Sequence, residues 1–198
     1  MNMLARLHSA KSGASGAGGF FKLASIGALG LFCVAASFYA APGLAGLAGA
    51  ALALNMLAIA VIDWRFFIIP DELNALAIGL GLLAVGFDGR GEKLTLALDA
   101  STRGATMAAL FFAFRFAYRH LRGCEGMGLG DVKLAGVAGI WLDWPSLPIA
   151  VEIAGLGALG LILSRHVQAG RALDPLTKLP FGAFFAPAVW ICWLLARL

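Results

Sequence analysis

The chain has 198 residues, of which 61% are apolar and only 13% charged, and its formal net charge is +4. A soluble domain of this size needs far more charge to cover its surface, so composition alone excludes one and points to a membrane protein. The positive excess is too small and too unevenly placed for nucleic acid, and it fits anionic membrane lipid instead.

Residues 1–22 include a Ser/Gly/Ala-rich tract that cannot bury a core, and they read as a flexible cytoplasmic tail. The first apolar run covers residues 23–41. A basic start before an apolar run also fits a secretory signal, with Ala35-Ala36-Ser37 as a cleavage site. Only Pro42-Gly43 separates this run from the next, residues 44–62, so the pair is expected as an uncleaved helical hairpin. Gly43, Gly46 and Gly49 give the second helix a smooth strip for a close neighbour. Further spans are expected over residues 74–87, 104–118, 132–142, 147–163 and 181–196. Several fall short of the ~20 residues of a straight span and must extend into their flanks or line a wet cavity. Pro42, Pro145, Pro148 and Pro180 sit at span edges, where a missing amide proton does least harm. The expected fold is an all-α polytopic bundle of about seven spans. It divides into the tail, an additional N-terminal helix over 23–43, and a membrane domain over 44–198.

The three cysteines, Cys33, Cys124 and Cys192, form no CxxC and have no histidine at ligand spacing, so no metal is assigned. Packing accounts for Cys33 and Cys192, while Cys124 lies in a loop without a paired histidine to activate it. The five tryptophans, Trp64, Trp141, Trp144, Trp190 and Trp193, cluster near span ends, as interfacial anchors do.

Two acidic motifs flank the apolar runs: Ile62-Asp63-Trp64-Arg65 leading into Ile69-Pro70, and Gly126-Met127-Gly128-Leu129-Gly130-Asp131-Val132-Lys133. A carboxylate at a membrane boundary is costly unless solvated, paired or used. Placing both on the cytoplasmic side and alternating the spans puts Arg6, Lys11, Lys22, Arg65, Arg115, Arg119, Arg122, Lys133, Arg165, Arg171 and Lys178 on that side. Only Arg90, Lys93, Arg103 and Arg197 remain opposite, a positive-inside distribution of the fifteen basic residues.

Two carboxylates that meet through the fold can share a proton, one activating water while the other protonates a peptide carbonyl. Asp131 is expected at a helix N terminus, which favours its ionised form, and Asp63 at a helix end, where the field is reversed. Asp131 is therefore expected as the initial base and Asp63 as the protonated partner. The residues alone also allow plainer readings. Asp63 fits a solvated carboxylate paired with Arg65, and Asp131 fits a helix N-cap. Lys133 fits a lipid or structural contact, and Arg115, Arg119 and Arg122 fit snorkelling to head groups. Asp71 and Glu72 read as solvated loop charges. A transporter or ion-binding protein using both aspartates, or an inactive structural membrane subunit, stays open on this basis.

Gly128-Leu129-Gly130-Asp131-Val132-Lys133-Leu134, preceded by Glu125-Gly126-Met127, resembles the GxGD motif of type IV prepilin peptidases. Asp63 with Arg65 and Ile69-Pro70 resembles their first catalytic aspartate, and Leu179-Pro180-Phe181-Gly182-Ala183-Phe184 resembles the segment opening their last helix. The matches occur in the family's order and cover residues 44–198. The Tyr-Asp pair and Pro-Ala-Leu motif of presenilin-like GxGD proteases are not found at the matching places. The resemblance implies an aspartyl endopeptidase of the bacterial cytoplasmic membrane that trims the leader of type IV prepilins or pilin-like precursors at the cytoplasmic face. It implies Asp63 and Asp131 as catalytic residues, with Gly128, Gly130, Pro70 and Lys133 shaping the site or contacting substrate, and no cofactor for peptide cleavage. Larger relatives carry a cytoplasmic domain with cysteine pairs, linked to N-methylation of the new terminus. The two-residue link between the first helices leaves no such domain there, and methyltransferase activity is expected to be absent.

Overall fold

A computed structural model describes residues 24–86, 92–123, 126–169 and 179–198. The expected tail at 1–22 and Cys124 lie outside the described residues. The described residues form seven helices and no strand: α1 (Ala24–Ala40), α2 (Leu44–Phe66), α3 (Asp71–Val85), α4 (Lys93–Arg122), α5 (Leu129–Trp141), α6 (Ser146–Ala169) and α7 (Gly182–Leu195). Each expected apolar run lies within or against one of them. Two helices, α2 and α6, are long and apolar enough to cross a membrane, while α1 and α7 are apolar but shorter.

Turn chemistry sets the helix ends. Gly43 links α1 to α2 at φ 75°, a left-handed conformation that disfavours any side chain. Gly123 ends α4 at φ 70°, its amide bonding the Arg119 carbonyl. At the end of α2 the left-handed position is Phe67, φ 56° and ψ 35°, whose N–H bonds the Asp63 carbonyl. The chain therefore reverses within one turn of Asp63.

Small residues bring helices together. A Cβ on Gly139 would lie 2.5 Å from the Arg103 carbonyl oxygen and 2.7 Å from the Gly104 Cα, so α4 and α5 touch backbone to backbone. The strip on α2 is used in part: Gly49 lies under the Trp193 ring and Gly46 against Phe38, while Gly43 serves the turn. The core lies among α2, α5 and α7, where Leu52, Met56, Ile59, Leu134, Val137 and Phe185 are fully buried. Phe185 stacks between Phe111 and Phe181. Trp190 joins α7 to α1, donating to Ser37 Oγ at 3.1 Å. Trp190 and Trp193 are buried, whereas Trp64 and Trp144 are half exposed near helix ends. Leu31, Phe116 and Leu156 head a long series of exposed large apolar side chains, an outer surface suited to lipid rather than water.

Contacts fix the two ends of the bundle. Lys133 meets Asp71, Asp63 meets Ala183, and Arg115 meets Met127 at one end. Trp141 meets Ala77, and Arg103 meets Leu142, at the other. The Pro42–Gly43 turn lies at this second end, beside Leu142 and Asp143. A soluble domain on the side of the aspartates would not be joined at that turn, so its shortness does not bear on whether such a domain accompanies these helices.

Candidate active site

Four chain segments converge at the first end: the last turn of α2, the stretch 67–70, and the opening turns of α5 and α7. Asp63 is buried on α2, at 5% exposure. An isolated carboxylate there would be costly. Its Oδ2 accepts the Ala183 N–H at 2.8 Å, and the Gly182 amide adds to the same field. These are unpaired amides of the first turn of α7, so Asp63 occupies an anion site at a helix N terminus. Its polar partners come from 120 residues away rather than from Arg65.

Asp131 lies in the first turn of α5, ahead of the apolar run that begins at Val132. This is the helix N terminus expected from sequence, although the plainer N-cap reading is not met. Gly128 takes that position in an extended conformation (φ −73°, ψ 155°), which makes Asp131 the third helical residue. From there its Oδ2 accepts the Gly128 N–H at 3.2 Å, the carboxylate half of a capping box. The charge of Asp63 reaches Asp131 through space. The two aspartates are thus brought within electrostatic reach of each other across 68 residues of sequence.

Ile69 is buried between their supports. A Cβ on Gly130 would lie 2.9 Å from the Ile69 Cβ, and one on Gly182 would lie 2.6 Å from the Ile69 Cδ1 and 3.0 Å from the Asp63 Oδ2. Both glycines are therefore places of close approach, and the three sequence motifs meet on one isoleucine. Pro70 caps α3 in extended geometry, and its carbonyl accepts the Asn74 N–H at 3.3 Å. Lys133 Nζ pairs with Asp71 Oδ1 at 2.7 Å, with both groups substantially exposed. Such a pair contributes at most about 1 kcal/mol and chiefly registers α5 against α3.

Sequence reasoning missed several supporting groups. The sequence suggests a head-group contact for Arg115, yet its guanidinium donates to the Met127 carbonyl in the glycine-rich loop. Tyr118 closes over Gly126, where a Cβ would fall 2.5 Å from the ring. Asn55 and Asn74 are buried, and Asn55 Nδ2 donates to the Leu73 carbonyl at 3.3 Å. Asn55 is eight residues before Asp63, about 12 Å along a helix, so α3 starts well below the end of α2. A polar residue within an apolar run was the available signal.

The type IV leader peptidase family model matches residues 50–164, which include Asp63, Pro70, Gly128, Gly130, Asp131 and Lys133. The chain belongs to the type IV leader peptidase family. Among similar proteins is a prepilin leader peptidase/N-methyltransferase of Aeromonas hydrophila, 34% identical over 171 residues, covering 83% of this chain and 54% of that protein. Proteins of the same description from Pseudomonas aeruginosa and Burkholderia pseudomallei are 34% and 35% identical. Those matches cover 74% and 81% of this chain, and 49% and 47% of the relatives. The chain thus spans about half the length of these relatives. No solved structure matches it. The family match ends before Pro180-Phe181-Gly182, so the contact of α7 with Asp63 adds an element beyond the matched segment.

Proposed function

We propose that this chain is the peptidase unit of a prepilin-processing enzyme, an aspartyl endopeptidase with Asp63 and Asp131 as its catalytic pair. The observation that carries this reading is the setting of the two carboxylates. Asp63 is held on the amides of α7, and Asp131 lies on the Gly128 amide at the opening of α5, within reach of the Asp63 charge. The Ala183 amide at 2.8 Å holds Asp63 more closely than the Gly128 amide at 3.2 Å holds Asp131, which favours Asp63 as the ionised partner and Asp131 as the protonated one. These roles reverse the assignment expected from α5 and α2 alone, because α7 adds a second helix terminus on the side of Asp63. Asp63 takes a proton from a water molecule as it attacks the scissile carbonyl, and Asp131 gives its proton to the carbonyl oxygen. The pair titrates as a unit, so its macroscopic values belong to both groups.

The substrate is a type IV prepilin or pilin-like precursor, cut after a glycine and ahead of its apolar helix. Support comes from the family and from the chain's similarity to prepilin leader peptidase/N-methyltransferases. The seven helices span the bacterial cytoplasmic membrane, with the aspartates at the cytoplasmic face, a topology supported by the eleven to four distribution of basic residues. This chain by itself performs cleavage and not methylation, since its three cysteines form no pair of the kind associated with the methylating domain.

Co-expression with a candidate prepilin tests the pair. Asp63→Asn and Asp131→Asn should each abolish leader loss on a gel while the protein stays in the membrane, because an amide can neither take up nor release the catalytic proton. The double variant should be scarcely worse than either single one. Full cleavage by either variant would remove the assignment.

A further inference from the structure

At the end of the bundle away from the aspartates lies a cavity of about 510 Å³, between the α1–α2 turn and the ends of α5 and α7. Its polar wall is built from Arg103, Arg197, Asp143 and the indoles of Trp141 and Trp193. A narrow slot of about 90 Å³ shares both arginines and both indoles, and continues between α2 and α3 past Ala48, Gly81 and Ala84. The space is therefore amphiphilic: charged at its mouth, and lined by small apolar side chains further in.

The polar wall is fixed in place. Arg103 Nε donates to the Gly139 and Leu142 carbonyls at 3.2 and 2.8 Å, capping the C terminus of α5, and its Nη1 pairs with Asp99. The Arg197 guanidinium lies 4.9 Å over the Trp193 ring. Trp141 Nε1 donates to the Ala77 carbonyl at 2.8 Å, and Asp143 Oδ1 accepts the Ser146 N–H at 3.2 Å. Groups already held in position lose little freedom when a ligand arrives. Arg103 and Arg197 are also two of only four basic residues at this end of the chain's spans, the side that the charge bias otherwise depletes.

We propose that this cavity binds a phospholipid with an amine-bearing headgroup. The phosphate lies toward the two guanidiniums, the ammonium lies toward Asp143, and only the first few carbons of an acyl chain enter the slot of about 90 Å³ between α2 and α3. Guanidinium matches phosphate in charge and fork geometry. The carboxylate at the same mouth favours a zwitterionic headgroup over a singly anionic one, and the apolar slot favours a lipid over a free phosphate ion. The volume lies within the range of built ligand sites.

Native mass spectrometry of the full chain, released from nanodiscs containing equal phosphatidylethanolamine and phosphatidylglycerol, tests this without any cleavage assay. Its outcome is therefore independent of the peptidase reading. The wild type should retain phosphatidylethanolamine, and Arg197→Gln should retain about tenfold less, the scale of one charge-assisted hydrogen bond. Asp143→Asn keeps a side chain able to cap α6 and should shift retention toward phosphatidylglycerol. A melting-temperature rise with added phosphatidylethanolamine, absent with inorganic phosphate, should accompany these results in the wild type. Equal retention by wild type and Arg197→Gln would overturn the proposal. So would an unchanged headgroup preference in Asp143→Asn, or an equal rise with inorganic phosphate.

Discussion

Replacing Gly182 with alanine puts a methyl group where α7 meets both Asp63 and Ile69. The new Cβ would lie 2.6 Å from the Ile69 Cδ1, 3.0 Å from the Asp63 Oδ2 and 3.2 Å from the Asp63 Cγ. The Ile69 methyl is the free end of a side chain and can swing aside. The carboxylate yields only by moving off the Ala183 amide, which it accepts at 2.8 Å. Losing one hydrogen bond to a charged group costs about 1.5–3 kcal/mol. If that loss falls on the catalytic step, cleavage slows roughly 10- to 150-fold. Single-turnover cleavage of a synthetic prepilin by detergent-solubilised protein measures this, with thermal melting as a check on folding. Gly130→Ala provides the contrast. Its Cβ would meet the Ile69 Cβ at 2.9 Å, an atom fixed to the backbone, so this variant should lose stability, by about 1–3 kcal/mol. Adding Ile69→Val to Gly182→Ala removes the Cδ1 contact and leaves the Asp63 contact. Recovery of wild-type cleavage in that double variant would refute the argument, as would a Gly182→Ala rate within twofold of wild type.

Because the pair works with one carboxylate ionised and the other protonated, cleavage should show a bell-shaped pH profile, and a profile flat from about pH 3 to about pH 9 would contradict the shared-proton mechanism. A cytoplasm-active reporter fused after Lys178 should be active, and one fused at Leu198 should report the opposite face; agreement between them would mean that α7 does not span. A pilin processed by this chain alone, in a host lacking other such enzymes, should show an unmethylated new terminus by mass spectrometry. A mass increase of one methyl group would assign methyl transfer to these helices.

The helices were legible because each apolar run is bounded by charge, glycine or proline. The Pro42-Gly43 turn and the pause at Ile69-Pro70 could be read directly. What escaped was long-range. The partner of Asp63 is a backbone amide 120 residues away, and an amide leaves no mark in sequence; only the likeness of Pro180-Phe181-Gly182 to a known segment hinted at it. The acid and base roles expected from sequence considered α2 and α5 and omitted α7. Asp131 opens α5 as expected, as its third helical residue rather than its cap, because extended geometry at Gly128 starts α5 earlier than the apolar run does. Arg115 has the composition of a head-group contact, and only the return of the glycine-rich loop gives it the Met127 carbonyl. Trp190 and Trp193 were as apolar and as near the chain end as an interfacial anchor, yet α7 is buried on most sides.

Ile69 touches the glycine beside each carboxylate, Gly130 on one helix and Gly182 on the other. Machinists reference two critical surfaces to a single datum so that errors in the rest of the part do not accumulate between them. The same holds here: at the site α5 and α7 are both set against one side chain, so a change at Ile69 acts on the surroundings of both carboxylates at once.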